Sequence, residues 1–598
     1  MDDLLERGEN ENYQDSLKVL KPTCQWILPE KDQVLSFLSA NPTVEKFEKV
    51  MKSEIGSYLI SRWTRETCAG DNDNNYVLLL FLEECSRMKT VPGYTKREQM
   101  VSTMLNTLFL AGAPRPPLAN PITENGTAGI RFDVEPGDAG SIKNLFNATH
   151  SNPMQFDCSS AVFLEVKAKV ELAVGAKSLP DTIFEPLERL VMAKVKSDAF
   201  PKFKNSFHYA KYVKMEVWFD KHTIDENDFE IFRVLGRGGF GLVNGCRFTR
   251  TGKMYAMKTM DKRRVKLNKG EKMCILEKEL MSICKSRFVL DLKYSFTNDF
   301  ELFLIMDVKA GGDLNYHIQR RKKFAVEDIQ YYTARVCEGL KAIHDCGWVY
   351  RDLKSENLLL DFDGRCSISD LGLACRYEKG LRGVAGTPGY WAPEVVSNQP
   401  YAKNVDAWAL GCCIMEWFSG TCPFRSKHAL KFGIKKGIND QLLACNAATK
   451  EMEWPFKINV EEIMSESAID LCKNLLERDP KKRGGGGVDV VEYVKNHAFF
   501  DGFDWESVVN ESYKPPFLPD DSVNAADQDT IGKFKNESEV RKVDLDDASD
   551  NRQYGKFSFT AKKAFENECT EFLKFELANG RPLTASVERR KSQACVIS

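Results

Sequence analysis

The stretch Leu235–Val243, "LGRGGFGLV", narrows what this chain can fold into more than any other feature, with glycines at 236, 238 and 241. Glycine has no Cβ, so this spacing lets the backbone turn tightly and approach a ligand closely. Alone it is ambiguous, since a dinucleotide site or an ordinary glycine turn carries it as well. The residues that follow decide. A dinucleotide fold needs a helix directly after the glycines and a carboxylate about 20 residues on. Here "LVNGCRF" reads as a strand, and the next strand-like run, "KMYAMKTMDK", holds Lys258. The loop is therefore read as a turn between two strands, with a lysine on the third.

Further elements follow in order. Glu277 lies in "CILEKEL" on a predicted helix, with Glu279 as the alternative acid. "YRDLKSEN" supplies Tyr350, Arg351, Asp352, Lys354 and Asn357; "SDLG" supplies Asp370; "GTPGYWAPE" ends in Glu394. This set resembles the eukaryotic protein kinase family over about 230–500. The resemblance implies an α+β, bilobal fold, with a β-rich N-lobe and an α-rich C-lobe.

The chemistry explains the residue types. Transfer of a phosphoryl group spreads negative charge over phosphate oxygens and needs in-line geometry. Backbone N–H groups of Gly236, Gly238 and Gly241 could cradle phosphates of ATP. Lys258 would hold the α- and β-phosphates, and an ion pair with Glu277 would hold Lys258. Asp370 and Asn357 offer hard oxygen ligands for Mg²⁺. Asp352 would orient the acceptor hydroxyl and take its proton, with Lys354 on the γ-phosphate. The resemblance also implies that Leu235, Val243, Ala256, Met306 and Leu359 enclose the nucleotide. By the same resemblance, Asp307 and Val308 offer hinge backbone and Asp313 contacts ribose. Lys354 is typical of Ser/Thr rather than Tyr kinases. Two positions depart from the commonest pattern, Tyr350 for His and Leu371 for Phe, and both keep a bulky packing role. Glu394 is expected to pair with Arg483, and Asp406 in "DAWALG" to hold loop backbone.

The chain is longer than this domain. Its 598 residues, 43% hydrophobic and 28% charged, suit a soluble protein of three or four domains. A net charge of −2 gives no sign of a nucleic-acid partner. Eighteen irregularly spaced cysteines read as reduced and cytosolic, with "GCC" at 411–413 in the core. No apolar run reaches the roughly 18–20 residues of a membrane span. Residues 1–32 form an acidic N-terminal segment. From 33 to 200 the period is helical: Val44, Phe47, Val50 and Met51 share a stripe, as do Met100, Met104, Leu105 and Leu108, and Leu187, Leu190 and Val191. A loop-rich insertion is expected at about 111–160, and 162–172 fits either helix or strand. A linker spans 201–227, the kinase domain 228–500, and a tail 501–585.

The tail's "KPPFLPDDS" and "YGKFSFTAKKAFENECTEFLKFEL" are similar to AGC-group tails, which wrap across both lobes. With a helical bundle ahead of the kinase, the chain resembles the G-protein-coupled receptor kinase family. The bundle is then an all-α RGS-homology domain, and part of 505–540 is expected to return to it. The implied substrates are cytoplasmic Ser and Thr of activated seven-helix receptors, with Gα subunits left open as bundle partners. Between Leu371 and Gly386 the only hydroxyl side chain is Tyr377, and the resemblance implies that docking of the receptor rather than a phosphate orders this segment. The terminal "CVIS" reads as a prenylation box at Cys595, with Ser last favouring farnesyl. Residues 586–598 would then bind an anionic membrane surface, with Arg589, Arg590 and Lys591 as the second signal that one lipid chain needs. The expected location is cytoplasmic, peripheral on the inner face of the plasma membrane.

Overall fold

Alternating apolar and polar residues from Phe229 onward build an antiparallel meander. In the computed structural model of the chain, residues 31–67, 75–90, 94–104, 161–176, 178–486, 489–519 and 537–578 are described. Strands β1 (Phe229–Arg237), β2 (Gly241–Phe248) and β3 (Met254–Asp261) pair in succession. With β4 (Leu292–Thr297), β5 (Glu301–Asp307) and a short strand at Phe559–Thr560, they form one sheet. The order is β1, β2, β3, β5, β4, then the 559–560 strand. Helix Glu271–Ile283 lies between β3 and β4 and buries Cys274, Glu277, Leu280 and Met281.

The second lobe is helical. Helices Val326–Asp345 and Asn404–Ser419 form its centre, and Cys412 and Cys413 are fully buried. Two small antiparallel pairs sit on it. One joins β6 (Trp348–Val349) to β9 (Cys375–Arg376); the other joins β7 (Leu358–Leu360) to β8 (Cys366–Ile368). The turns and loops beside these strands carry the polar residues singled out above. Glu394 and Arg483 form a buried bidentate pair at 2.6 and 2.9 Å, which ties the end of "APE" to the lobe.

The tail follows both lobes. Its first part packs on the helical lobe: Tyr513 stacks on Tyr331 at 5.4 Å, and Arg321 lies 4.4 Å from the Phe517 ring centre. Gly364 (φ +79°) is required there, because a Cβ would stand 2.2 Å from the Phe517 carbonyl oxygen. Further on, Ser295 Oγ donates to the Phe557 carbonyl at 2.6 Å, and Lys278 Nζ to that of Lys556 at 3.0 Å.

The chain divides into two compact units. The kinase unit contains Ile224–Ala561; the helical unit contains Cys24–Thr223 together with the chain from Lys562 on. In the helical unit Val44, Phe47, Val50, Leu187 and Val191 are buried as the stripes predict, whereas Leu190 is 39% exposed. The ambiguous 162–172 stretch lies in a helix, Ala161–Gly175. The 111–160 insertion, Leu105, Leu108, the first 30 residues and the C-terminal box lie outside the described residues.

Two expectations are corrected. Residues 201–227 are not a linker: helix Phe207–Lys221 belongs to the helical unit and buries Tyr209, Tyr212, Val213, Met215, Val217 and Trp218. Its aromatic residues are packed in a core, which a connecting segment would leave in solvent. The return to the bundle does not come from 505–540, whose described residues lie in the kinase unit. It comes from helix Lys562–Ala578, where Phe565 stacks on Trp218 at 5.5 Å and packs against Phe219 at 5.0 Å. A fully buried aromatic at such a seam contributes about 3–5 kcal/mol relative to alanine. Phe565→Ala should therefore lower unfolding free energy by about 3 kcal/mol in a denaturant titration read by tryptophan fluorescence.

Candidate active site

Strand β3 aims Lys258 at helix Glu271–Ile283, where its ammonium meets Glu277 Oε1 at 2.6 Å. Asp370 Oδ1 approaches the same nitrogen at 3.4 Å. Burial works against the Lys258 charge, but the two carboxylates outweigh it and hold the amine well above its ordinary value. In turn the Lys258 charge lowers Asp370, against a smaller effect of burial. Glu279, the alternative acid, faces elsewhere and pairs with Arg376. Asp370 adopts a left-handed backbone (φ +48°), which turns its carboxylate out of β8 toward Lys258.

The loop Tyr350–Asn357 is shaped from beneath. Asp406, fully buried, accepts the Arg351 N–H at 2.8 Å and the Tyr350 N–H at 3.0 Å, and lies 2.7 Å from His344 Nε2. Arg351 is thereby held at φ +71°, a region an L-residue occupies only under restraint. The Tyr350 hydroxyl donates to the Ser369 carbonyl at 2.6 Å, so this departure from His ties the loop to the residue before Asp370. Leu371 is buried. Asp352 then receives Lys354 Nζ and Asn357 Nδ2, each at 2.9 Å, and the Thr387 hydroxyl at 2.7 Å. Lys354 also donates to Thr387 Oγ1 at 2.8 Å.

The glycines divide into two kinds. A Cβ on Gly241 would stand 1.7 Å from the Thr259 carbonyl oxygen, so this glycine serves the close approach of β2 to β3. On that side Gly236 has no neighbour and Gly238 only a distant one, while the Gly238 N–H closes the turn on the Gly241 carbonyl at 2.9 Å. Leu235 lies on β1; Val243 aligns with Lys258, and Ala256 with Met306. Strand β5 ends at Asp307, whose carboxylate pairs with Lys293 at 2.8 Å, and Val308 follows. Asp313 bridges to Leu359, and its Oδ1 caps helix Leu314–Arg321 by accepting the Tyr316 N–H at 2.8 Å. Burial raises the Asp313 carboxyl.

Three groups at this site escaped the sequence reading. Tyr401 donates its hydroxyl to the Gly383 carbonyl at 3.0 Å and accepts from Arg351 Nη1 at 3.1 Å. Its backbone N–H meets the Leu381 carbonyl at 2.9 Å, and Arg351 Nε reaches that of Leu373 at 2.8 Å. The segment after Asp370 is thus fastened at two nitrogens of the Arg351 guanidinium, while Tyr377 is 43% exposed. Glu416, within an apolar helix, accepts the Ser355 hydroxyl at 2.5 Å and the Tyr390 hydroxyl at 2.9 Å. Arg425 lies near Glu356 at 3.6 Å. A carboxylate in "CCIMEWF" was the one signal available for Glu416.

Burial raises the Glu416 carboxyl to about 7, the Ser355 and Tyr390 hydroxyls opposing it. The folded value lies above the unfolded one, so the folded protein binds the extra proton between them. The contribution is fully present below about 4.5, the ordinary value, and is lost as pH rises to about 7. Glu416→Gln, always neutral, should gain melting temperature relative to the parent over that window and no further above it.

Residues 229–500 match the protein kinase domain. The chain is 35% identical over 425 residues to G protein-coupled receptor kinase 2 of Caenorhabditis elegans, covering 70% of this chain and 58% of that protein. It is 34% identical over 441 residues to Beta-adrenergic receptor kinase 1 of Homo sapiens, covering 73% and 61%. It is 34% identical over 394 residues to Rhodopsin kinase GRK1 of Rattus norvegicus, covering 64% and 67%. The chain thus spans about three fifths of the length of the first two and two thirds of the third. With residues 229–500 matching the kinase domain and the likeness to these receptor kinases running well beyond it, the chain belongs to the G protein-coupled receptor kinase family.

Proposed function

We propose that this protein transfers the γ-phosphate of ATP to Ser and Thr hydroxyls on the cytoplasmic side of activated seven-helix receptors. The observation that carries the reading is the assembled constellation of Lys258, Glu277 and Asp370 beside a loop that presents Asp352, Lys354 and Asn357. In this reading the backbone of the turn Gly236–Gly241 lies along the phosphates, with the Gly238 N–H holding the turn closed on the Gly241 carbonyl. Lys258, fixed by Glu277, binds the α- and β-phosphates. Leu235, Val243, Ala256, Met306 and Leu359 enclose the base, Asp307 and Val308 offer backbone polar groups, and the Asp313 oxygen left by its cap contact meets ribose. The donor set of Asp370 and Asn357, two hard-oxygen side chains beside a phosphate cradle, fits Mg²⁺. The bound cation supplies neutralisation of charge across the phosphates.

Asp352 accepts the proton of the acceptor hydroxyl as the hydroxyl oxygen bonds to the γ-phosphorus and the bond from that phosphorus to the β–γ bridging oxygen breaks, ADP leaving. Its three donors orient the carboxylate, and Lys354 is placed to steady the transferred group. Membrane receptors as substrates agree with the relatives' names, and recruitment through a farnesylated Cys595 and its basic neighbours would bring the kinase to them. Docking takes the place of a segment phosphate, since Arg351 already has Tyr401 and Leu373 as partners.

The test is Mg-ATP transfer by the purified protein to a seven-helix receptor in membranes, with and without agonist, beside a soluble serine peptide. Agonist should raise receptor turnover at least about tenfold, and Lys258→Met should lower transfer by about 100-fold or more. Agonist-indifferent turnover, equal for peptide and receptor, would refute receptor docking. Tyr401→Phe removes one hydrogen bond to a charged group, so kcat should fall roughly tenfold with little change in KM for ATP. Amide exchange at 381–384 should rise in the same variant.

A further inference from the structure

The described cysteines are all free thiols, and among them only Cys346 and Cys375 are not buried. Cys412, Cys413 and Cys422 neighbour one another, but all three are sealed in the core. Cys346 is half-buried, and a second thiol, that of Cys284, stands beside it.

The two thiols end two helices. Cys284 follows helix Glu271–Ile283, and its N–H donates to the Leu280 carbonyl at 2.8 Å. Cys346 follows helix Val326–Asp345, and its N–H donates to the Ala342 carbonyl at 3.3 Å. The packing around them holds these helix ends together. A Cβ on Gly339 would stand 2.9 Å from the Phe288 carbonyl oxygen, so the chain just past Cys284 lies on the second helix. The Ile368 N–H donates to that same carbonyl at 2.9 Å. Arg376 pairs with Glu279 on the first helix and lies 5.7 Å from the ring centre of Trp348, two residues past Cys346.

The two sulfurs are not equivalent. Burial, and then the neighbouring Cys346 thiol, push the Cys284 thiol up to about 12, with Lys285 opposing. Cys284 therefore stays protonated at neutral pH, and the thiolate that attacks an oxidant belongs to the half-buried Cys346.

We propose that Cys346 and Cys284 form an oxidisable dithiol site, closed to a disulfide by hydrogen peroxide, which joins the N-lobe helix carrying Glu277 to the central helix of the C-lobe. The Cys346 thiolate bonds to one peroxide oxygen, the O–O bond breaks, and the hydroxide that leaves takes up the proton Cys346 lost. Cys346 is then a sulfenic acid. The Cys284 sulfur bonds to the Cys346 sulfur, the S–OH bond breaks, and the Cys284 proton leaves with that hydroxide as water. Two thiols are oxidised to one disulfide, and one peroxide is reduced to two waters.

Glu277 lies on the first helix, and the loop with Asp352 follows β6 directly after Cys346. The bridge therefore couples the two halves of the site. Product leaves a two-lobed transferase when the lobes part, so the bridge slows turnover. The bridge itself goes beyond the phosphotransfer reading; its effect on turnover rests on that reading.

The test exposes the reduced, full-length protein to a small molar excess of hydrogen peroxide, with and without dimedone. Free thiols are then alkylated, and the protein is digested without reductant for mass spectrometry. The parent should yield a Cys284–Cys346 cross-linked peptide that dithiothreitol separates. Cys284→Ala should stop at the sulfenic acid and carry dimedone on Cys346. Absence of the cross-linked peptide from the parent, whether Cys346 is untouched or oxidised alone, would overturn the proposal. Transfer to a soluble serine peptide gives the second readout. The bridged parent should show kcat about threefold below that of the reduced parent, restored by dithiothreitol, while Cys346→Ser keeps its rate through the same treatment. An equal loss in Cys346→Ser, or no loss in a fully bridged parent, would overturn the coupling of the lobes. A reduced parent that phosphorylates no peptide or receptor would instead count against the phosphotransfer reading and leave the peptide map to decide the bridge.

Discussion

A single carboxylate, that of Asp406, sets the shape on which the rest of the site depends. It is fully buried at the start of an apolar helix and accepts two successive backbone N–H groups, those of Tyr350 and Arg351. A buried N–H without a partner costs about 1–3 kcal/mol, so the loop is pinned more firmly than solvent could pin it. The strain of Arg351 at φ +71° is held by that pair of bonds. Everything downstream inherits the geometry. Asp352 is held by three donors, and the Arg351 guanidinium is aimed at Leu373 and Tyr401.

The same arrangement accounts for a segment without a phosphorylatable Ser or Thr. An arginine next to Asp352, partly buried, needs acceptors. Here a carbonyl and a tyrosine hydroxyl provide them, and the tyrosine in turn fastens Gly383. Neutral acceptors bind a guanidinium less strongly than a phosphate dianion does. A segment held this way is ordered by the chain's own neutral groups.

The tail and the helical unit show how the chain solves two burial problems with one extension. Residues 537–560 lie along the N-lobe, where Ser295 and Lys278 donate to their carbonyls and Phe559–Thr560 adds an edge strand to the sheet. That strand covers β4, whose edge would otherwise be open. Helix Lys562–Ala578 then fills the helical unit, burying Phe565, Cys569, Phe572 and Leu573. Nothing local in "KKAFENECTEFLKFEL" named the surface this helix would cover.

Much of the kinase unit was legible because phosphoryl transfer demands particular residue types in a fixed chain order. Glycines, Lys258, Asp352, Asn357 and Asp370 could be named, and alternation and periodicity gave β1 to β3 and the stripes at Phe47 and Leu187. By itself, then, the sequence determined which chemistry the chain can perform and the class of fold that carries it. Tertiary structure alone decided the pairings between residues far apart in the chain: Glu277 rather than Glu279 on Lys258, Tyr401 on Arg351, Phe565 on Trp218, and Arg425 against Glu356. The reason is physical. Local patterns report which face of an element is apolar, whereas a contact between distant segments depends on how whole elements pack and leaves no period in the sequence.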